Sequence, residues 1–141
     1  MNKVWNGVRW IYASYYFLAG IGLSLILLGL VSIDLDFGKG VNAFLAALEQ
    51  TGFGLGALAV TYTVSGLLIL NNRTAHLGII TLAPVIVIIF LTHWFVEGGD
   101  PVWGTTHFSI LLALAWRYRR AYLPLFDLSG NFVIKEGGDS A

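Results

Sequence analysis

The sequence predicts an all-α membrane protein: a bundle of four transmembrane helices with a short amphipathic helix between spans one and two. Three observations carry that prediction. Of 141 residues, 57% are apolar and 11% charged, with a mean hydropathy of +0.76, against about 25% charged and about 45–50% apolar residues in an ordinary soluble domain. Four apolar stretches approach the length of about 20 residues that a helix needs to cross about 30 Å of hydrocarbon. The cations, finally, gather on one side of those stretches. A disordered chain, a basic nucleic-acid-binding domain and a soluble enzyme of ordinary make-up are excluded. The chain has no cysteine, so it has no disulfide framework, thiol redox pair, thiolate-bound zinc or cysteine-ligated iron–sulfur cluster.

The first apolar stretch covers residues 10–31 without a formal charge. It is longer than the roughly 7–15 apolar residues of a signal peptide, and no small-x-small cleavage site follows, so it is expected to be retained. The second covers residues 54–70 and is compact. The third covers residues 75–96 and contains Pro84, which deprives the Ile80 carbonyl of its usual donor and predicts a kink. The fourth covers residues 104–116 and extends through Arg117 toward Ala121. Lipid offers the backbone no hydrogen-bond partners, so helices are the expected solution. Unbroken runs such as residues 23–28 lack the alternation of a barrel strand. Between spans one and two an Asp/Gly-rich turn leads into Val41, Phe44, Leu45 and Leu48, spaced i, i+3, i+4 and i+7. That is the apolar stripe of a short helix lying on the bundle end or in the interface. Residues 1–126 form one transmembrane domain, and residues 127–141 a cytoplasmic tail.

Charge distribution sets the expected orientation. Lys3, Arg9, Arg73, Arg117, Arg119, Arg120 and Lys135 fall on one side of four spans. The other side has Lys39 alone, with Asp34, Asp36, Glu49, Glu97 and Asp100. The positive-inside rule places both termini in the cytoplasm, and a bacterial or archaeal plasma membrane is the expected location. Trp5, Trp10, Trp94, Trp103 and Trp116 lie near span ends, where amphipathic rings sit at headgroup level.

Helices in lipid associate through small residues that let backbones approach. Gly52, Gly56, Ala59, Thr63 and Gly66 recur at spacings of 4, 3, 4 and 3 along span two, one continuous helical face. Gly22 and Gly29, seven apart, and the Gly20-x-x-x-Ser24 pair offer a similar face on span one. Both are expected to contact helices within the bundle or of another copy.

Few residues offer chemistry. No Asp, Glu, Lys or Arg lies deep in a span, which disfavours proton- or ion-coupled transport. His76 reads as an interfacial residue at the start of span three. His93 and His107 flank the turn between spans three and four at matching depth, and Glu97 shares the helical face of His93 at i+4. Asp100, Thr105, Thr106, Trp94 and Trp103 are close in sequence. Three readings stay open: two interfacial histidines, a quinone head group held by imidazole and flanked by rings, and, least favoured, a divalent metal. No metalloprotease spacing, nucleophile triad or phosphate loop is present, so no metal site and no catalytic residue is assigned. Tyr12, Tyr15 and Tyr16 read as an interfacial triplet. Tyr62 lies deeper, needs a hydrogen-bond partner and is the better candidate to line a cavity.

Several of these residues together resemble the DoxX-like family of small four-span membrane proteins. The resemblance rests on Arg9 at the start of the first helix, residues 17–21 within it, residues 66–70, Arg73-Thr74-Ala75, Ala83-Pro84, His93, and residues 118–125 after the fourth helix. It runs to about Phe126, on short apolar motifs. Two departures stand out: family members often carry a Glu near Tyr62, and a Lys or other polar residue where this chain has Gly22-Leu23. The resemblance implies an accessory subunit near quinone chemistry in a membrane redox complex, not catalytic on its own, with quinone as the candidate cofactor. It implies partners among lipid and other membrane subunits or a second copy, and no nucleic acid. The rival readings are a structural or assembly subunit and, less favoured, a carrier of a small apolar solute.

Overall fold

A computed structural model describes residues 2–32, 36–96 and 99–123. Among the described residues the chain is helical, with α1 (Asn2–Leu27), α2 (Lys39–Gln50), α3 (Gly54–Leu70), α4 (Ala75–Phe95), α5 (Pro101–Arg117) and the single turn α6 (Arg119–Tyr122). Two helices, α1 over Lys3–Leu27 and α4, are long and apolar enough to cross a membrane, and α2 with α3 makes a third only if a pair bent by 102° is one span. The full set of four spans is therefore not matched by four helices of spanning length. α3 and α5 have 17 residues each, which is about 25 Å at 1.5 Å per residue.

Neighbouring helices run antiparallel, in the order α1, α3, α4, α5. Along α1, Arg9, Phe17 and Gly20 meet Asn72, Gly66 and Thr63 in descending order on α3 and its C-terminal end. α4 then turns back on α3, where Gly78 approaches Ile69 and the Ser65 carbonyl. The core is a file of inward residues from these four helices, including Tyr16, Ile69, Ile79, Leu82, Ile86 and Leu114. Pro84 lies within α4, which continues through it, and its side chain faces outward. The amphipathic stripe folds as expected into α2: Val41 is buried and Phe44, Leu45 and Leu48 are half-buried. The bend from α2 into α3 is made at Gly52, whose φ of +76° only glycine adopts freely. Thr51 Oγ1 accepts from the Gly54 N–H at 2.8 Å and donates to the Leu48 carbonyl at 2.6 Å.

The close contact between α1 and α3 falls on Gly20 and Gly66. A Cβ at Gly66 would lie 2.5 Å from the Phe17 backbone nitrogen, and one at Gly20 2.5 Å from the Thr63 nitrogen. Ala59 is buried and Thr63 half-buried on the same face of α3. The glycine face read from spacing alone needs correction at its other members. Gly52 and Gly29 have positive φ and stand in the turns beyond their helices, while Gly22 and Gly56 have nothing within 4 Å of an added Cβ. Spacing places residues on one helix face, but the rotation of the neighbouring helix decides which of them is met.

Two outcomes follow. Gly66→Ala is expected to cost about 1–3 kcal/mol by forcing backbone apart from backbone, whereas Gly56→Ala and Gly22→Ala should stay within about 0.5 kcal/mol. Unfolding in mild detergent measures both, and equal effects would contradict the packing. At the start of α2, Asp36 Oδ1 accepts from the Gly38 N–H at 2.9 Å and Asn42 Nδ2 at 2.8 Å. The Gly38 donor first, then Asn42, holds this exposed carboxyl below its usual range. A lowered folded value means that the support is complete above the ordinary carboxylate range and is lost as pH falls through the folded value. The protection of the Gly38 amide, taken relative to its intrinsic exchange rate at each pH, should therefore fall in acid, and Asp36→Asn should flatten that dependence.

Candidate functional site

The site is built where α1 and α5 meet. α1 turns Arg9, Tyr12, Ala13, Tyr16 and Gly20 inward, a stripe with the 3–4 residue repeat of a helix. α5 buries Gly104, His107, Leu111 and Leu114. Its start is set by Asp100, whose Oδ1 accepts from the Val102 N–H at 2.9 Å and the Trp103 N–H at 3.4 Å, with Pro101 in the first turn. This combination satisfies the orphan donors of a helix start. It begins α5 ahead of the apolar stretch and puts Trp103 and His107 one turn apart on one face.

Tyr16 Oη and His107 Nδ1 are 2.6 Å apart, and Tyr12 Oη donates to the His107 carbonyl at 3.0 Å. Tyr16 is 1% exposed and His107 7%. Rings enclose the pair: Trp103 lies 4.5 Å, Tyr15 5.0 Å and Tyr12 6.1 Å from the imidazole by ring centroids. Tyr62 packs against Tyr16 from α3 at 5.1 Å. His107 Nε2 has no protein partner among the described residues. When Tyr16 donates to Nδ1, the neutral imidazole carries its proton on Nε2 and is a donor there. When Nδ1–H donates to Tyr16, Nε2 is an acceptor. The pair can thus present either character to a polar group.

His93 packs against Gly104, one turn before His107 on the same face of α5. His93 hydrogen-bonds through Nδ1 to the Ile89 carbonyl of its own helix at 2.9 Å, while His107 turns to α1. Glu97 lies outside the described residues. Trp94 donates through Nε1 to Thr105 Oγ1 at 2.9 Å and lines an open groove of about 580 Å³ with Val102, Thr106 and Ile110. No residue of the Tyr16–His107 cluster lines that groove. Among the described residues no group of three His, Cys, Asp or Glu side chains is placed to hold a metal. The half-buried Tyr62 and half-exposed Trp103 do join His107, through Tyr16 and directly.

Sequence reasoning missed the role of Tyr12 and Tyr16. They read as interfacial because the apolar stretch begins near Trp10, but α1 begins at Asn2, which carries the triplet to the middle of the helix. The signal was the helical spacing of Arg9, Tyr12, Ala13 and Tyr16 along one stripe. Comparison with protein-family models, with curated proteins and with solved structures found no match to this chain.

Tyr16→Phe should leave Nδ1 of His107 unpaired and cost about 1–3 kcal/mol. Combined with His107→Leu, it should show a coupling of at least about 0.5 kcal/mol. Additive effects for Tyr16 and His107 in unfolding measurements would contradict the bond.

Proposed function

We propose that the chain is a four-span integral membrane subunit that holds a quinone-type head group at His107 and serves a membrane redox assembly. The observation that carries this reading is the 2.6 Å Tyr16–His107 bond inside a cage of aromatic rings, in helices whose other polar side chains are mostly hydroxyls bonded to their own backbone. A quinone carbonyl accepts a hydrogen bond from imidazole Nε2–H, a quinol hydroxyl donates to the other tautomer, and flat rings suit the faces of Trp103 and Tyr15. Those two side chains are 45% and 42% exposed, giving the site an edge toward lipid, where apolar quinones dissolve.

The four-span arrangement draws support from the outward faces. Ile11 and Leu18 on α1, Val60 and Leu67 on α3, Ile88 and Leu91 on α4, and Leu112 on α5 are all exposed. Such a continuous apolar exterior is rare in water and ordinary in lipid. α3 and α5 are short, and short helices are accommodated by local thinning of the bilayer at modest cost. α2, bent by 102° from α3, lies across the bundle end as an interfacial helix would. The resemblance to DoxX-like proteins points the same way. A second reading, an assembly subunit, is favoured by Gly22 and Gly56, whose faces are open within this chain and suit close approach by another membrane helix.

Quinone extracted from protein purified in mild detergent tests the proposal. The wild type should carry it, and His107→Leu should retain about tenfold less, the worth of one hydrogen bond of about 1.4 kcal/mol. His93→Leu should retain the wild-type amount. Equal quinone with and without His107 would contradict the site, and a stoichiometric protein partner without quinone would favour the assembly reading.

A further inference from the structure

Arg9 lies on the same inward stripe as Tyr12 and Tyr16, nearer the start of α1, and is 6% exposed. Its Nη1 donates to Asn72 Oδ1 at 3.2 Å, a neutral acceptor. Its Nε is buried and has no partner among the described residues. Tyr118 donates to the same Asn72 Oδ1 at 2.7 Å, so both lone pairs of that oxygen are in use. The two donors fix the orientation of the amide and leave Asn72 Nδ2 as a further donor.

Acids are far from this cation among the described residues. Asp36 precedes α2, Glu49 ends it, and Asp100 caps α5. All three belong to the bundle end opposite the Asn72 turn. Among the described residues the charged side chains at the end that holds Arg9 are further cations, Lys3 at the start of α1, Arg73 beside Asn72 and Arg117, Arg119 and Arg120 around Tyr118. Arg119 lies over the Trp116 ring at 4.8 Å. A buried guanidinium without a counter-charge is costly in a low-dielectric setting. With Nη1 engaged and Nε sealed from the surface, Nη2 is the guanidinium nitrogen left to meet an anion. Asn72 is exposed and opens the site to the surface.

We propose that Arg9 and Asn72 bind a phosphate group, with Tyr118 holding Asn72 in place. Phosphate offers several acceptor oxygens and a charge to a site that has donors and no acceptor to spare. Exposed Trp10 and Trp116 flank this end at the depth where phospholipid headgroups lie, so a lipid phosphate is the source that the four-span reading favours. Free phosphate has the same chemistry.

The test uses the full chain purified in mild detergent. Phosphorus in the organic extract reports bound phospholipid, and phosphorus in the aqueous phase reports free phosphate. The wild type should carry stoichiometric phosphorus. After delipidation its thermal midpoint should rise with phosphatidylglycerol vesicles, or with inorganic phosphate if the free ion is the ligand. Arg9→Gln should lose the bound phosphorus. Asn72→Asp keeps an oxygen at the same place and supplies the missing charge internally. It should be stable without added phosphate and bind it at least about tenfold more weakly, which carries the test if Arg9→Gln does not fold. An unchanged response in Asn72→Asp would overturn the proposal. So would a wild type with neither bound phosphorus nor a response, leaving a carboxylate from the chain's last residues or another protein as the counter-charge. Quinone measured in the same extracts reports on the His107 site separately.

Discussion

The approach of α1 to α3 at Gly20 and Gly66 decides where the chain's few polar side chains go. With Phe17 backbone seated on Gly66, α1 has one possible rotation against its neighbour. That rotation turns Arg9, Tyr12 and Tyr16 inward and Ile11 and Leu18 outward. Any side chain at Gly66 would push against backbone, which cannot yield as a flexible side chain can. The position of Tyr16 opposite His107 is therefore a consequence of helix packing, and the aromatic cage follows from it.

A second constraint is the satisfaction of polar groups in helices with little water access. Ser24, Thr63, Thr81, Thr92 and Thr106 each donate to a carbonyl four residues earlier, and His93 bonds at the same spacing. These side chains are settled within their own helices. The polar contacts that join α1 to other elements are of two kinds: Tyr12 and Tyr16 to His107, and Arg9 to Asn72, which Tyr118 also reaches. The first offers neutral hydrogen bonding enclosed by rings, and the second offers positive charge at one end of the bundle. Chemistry in this chain is concentrated where side chains are not satisfied locally.

Local features of the fold were legible in the sequence. The apolar runs locate α3 and α4 closely because the connection from Asn71 to Thr74 is polar and short. The i, i+3, i+4, i+7 stripe from Val41 marks α2. The start of α5 is read three residues late, at residue 104, because the helix is set by the Asp100 cap and Pro101 and not by apolar content. The components of the site were legible in the sequence, and the contact of His107 with α1 was not. Tyr62 reads as the deeper polar side chain and His107 as a partner of His93 across the turn, while the bond from His107 to Tyr16 of α1 leaves no trace in either helix's spacing. Which face of α5 looks at α1 depends on crossing and rotation between helices distant in sequence. No periodicity within one helix contains that information, and the same limit separates Gly66, which meets a neighbour, from Gly56, which does not.

The account rests on all four long helices crossing the bilayer, including the short α3 and α5. The absence of cysteine allows a direct measurement with single variants Lys39→Cys, Arg73→Cys, Val102→Cys and Arg119→Cys, all at exposed positions. Each is treated with a membrane-impermeant maleimide in intact and in permeabilised cells. The account predicts labelling of residues 39 and 102 in intact cells, and of residues 73 and 119 only after permeabilisation. Labelling of residue 73 together with residue 39 in intact cells would show that α3 does not cross, and would contradict the four-span arrangement.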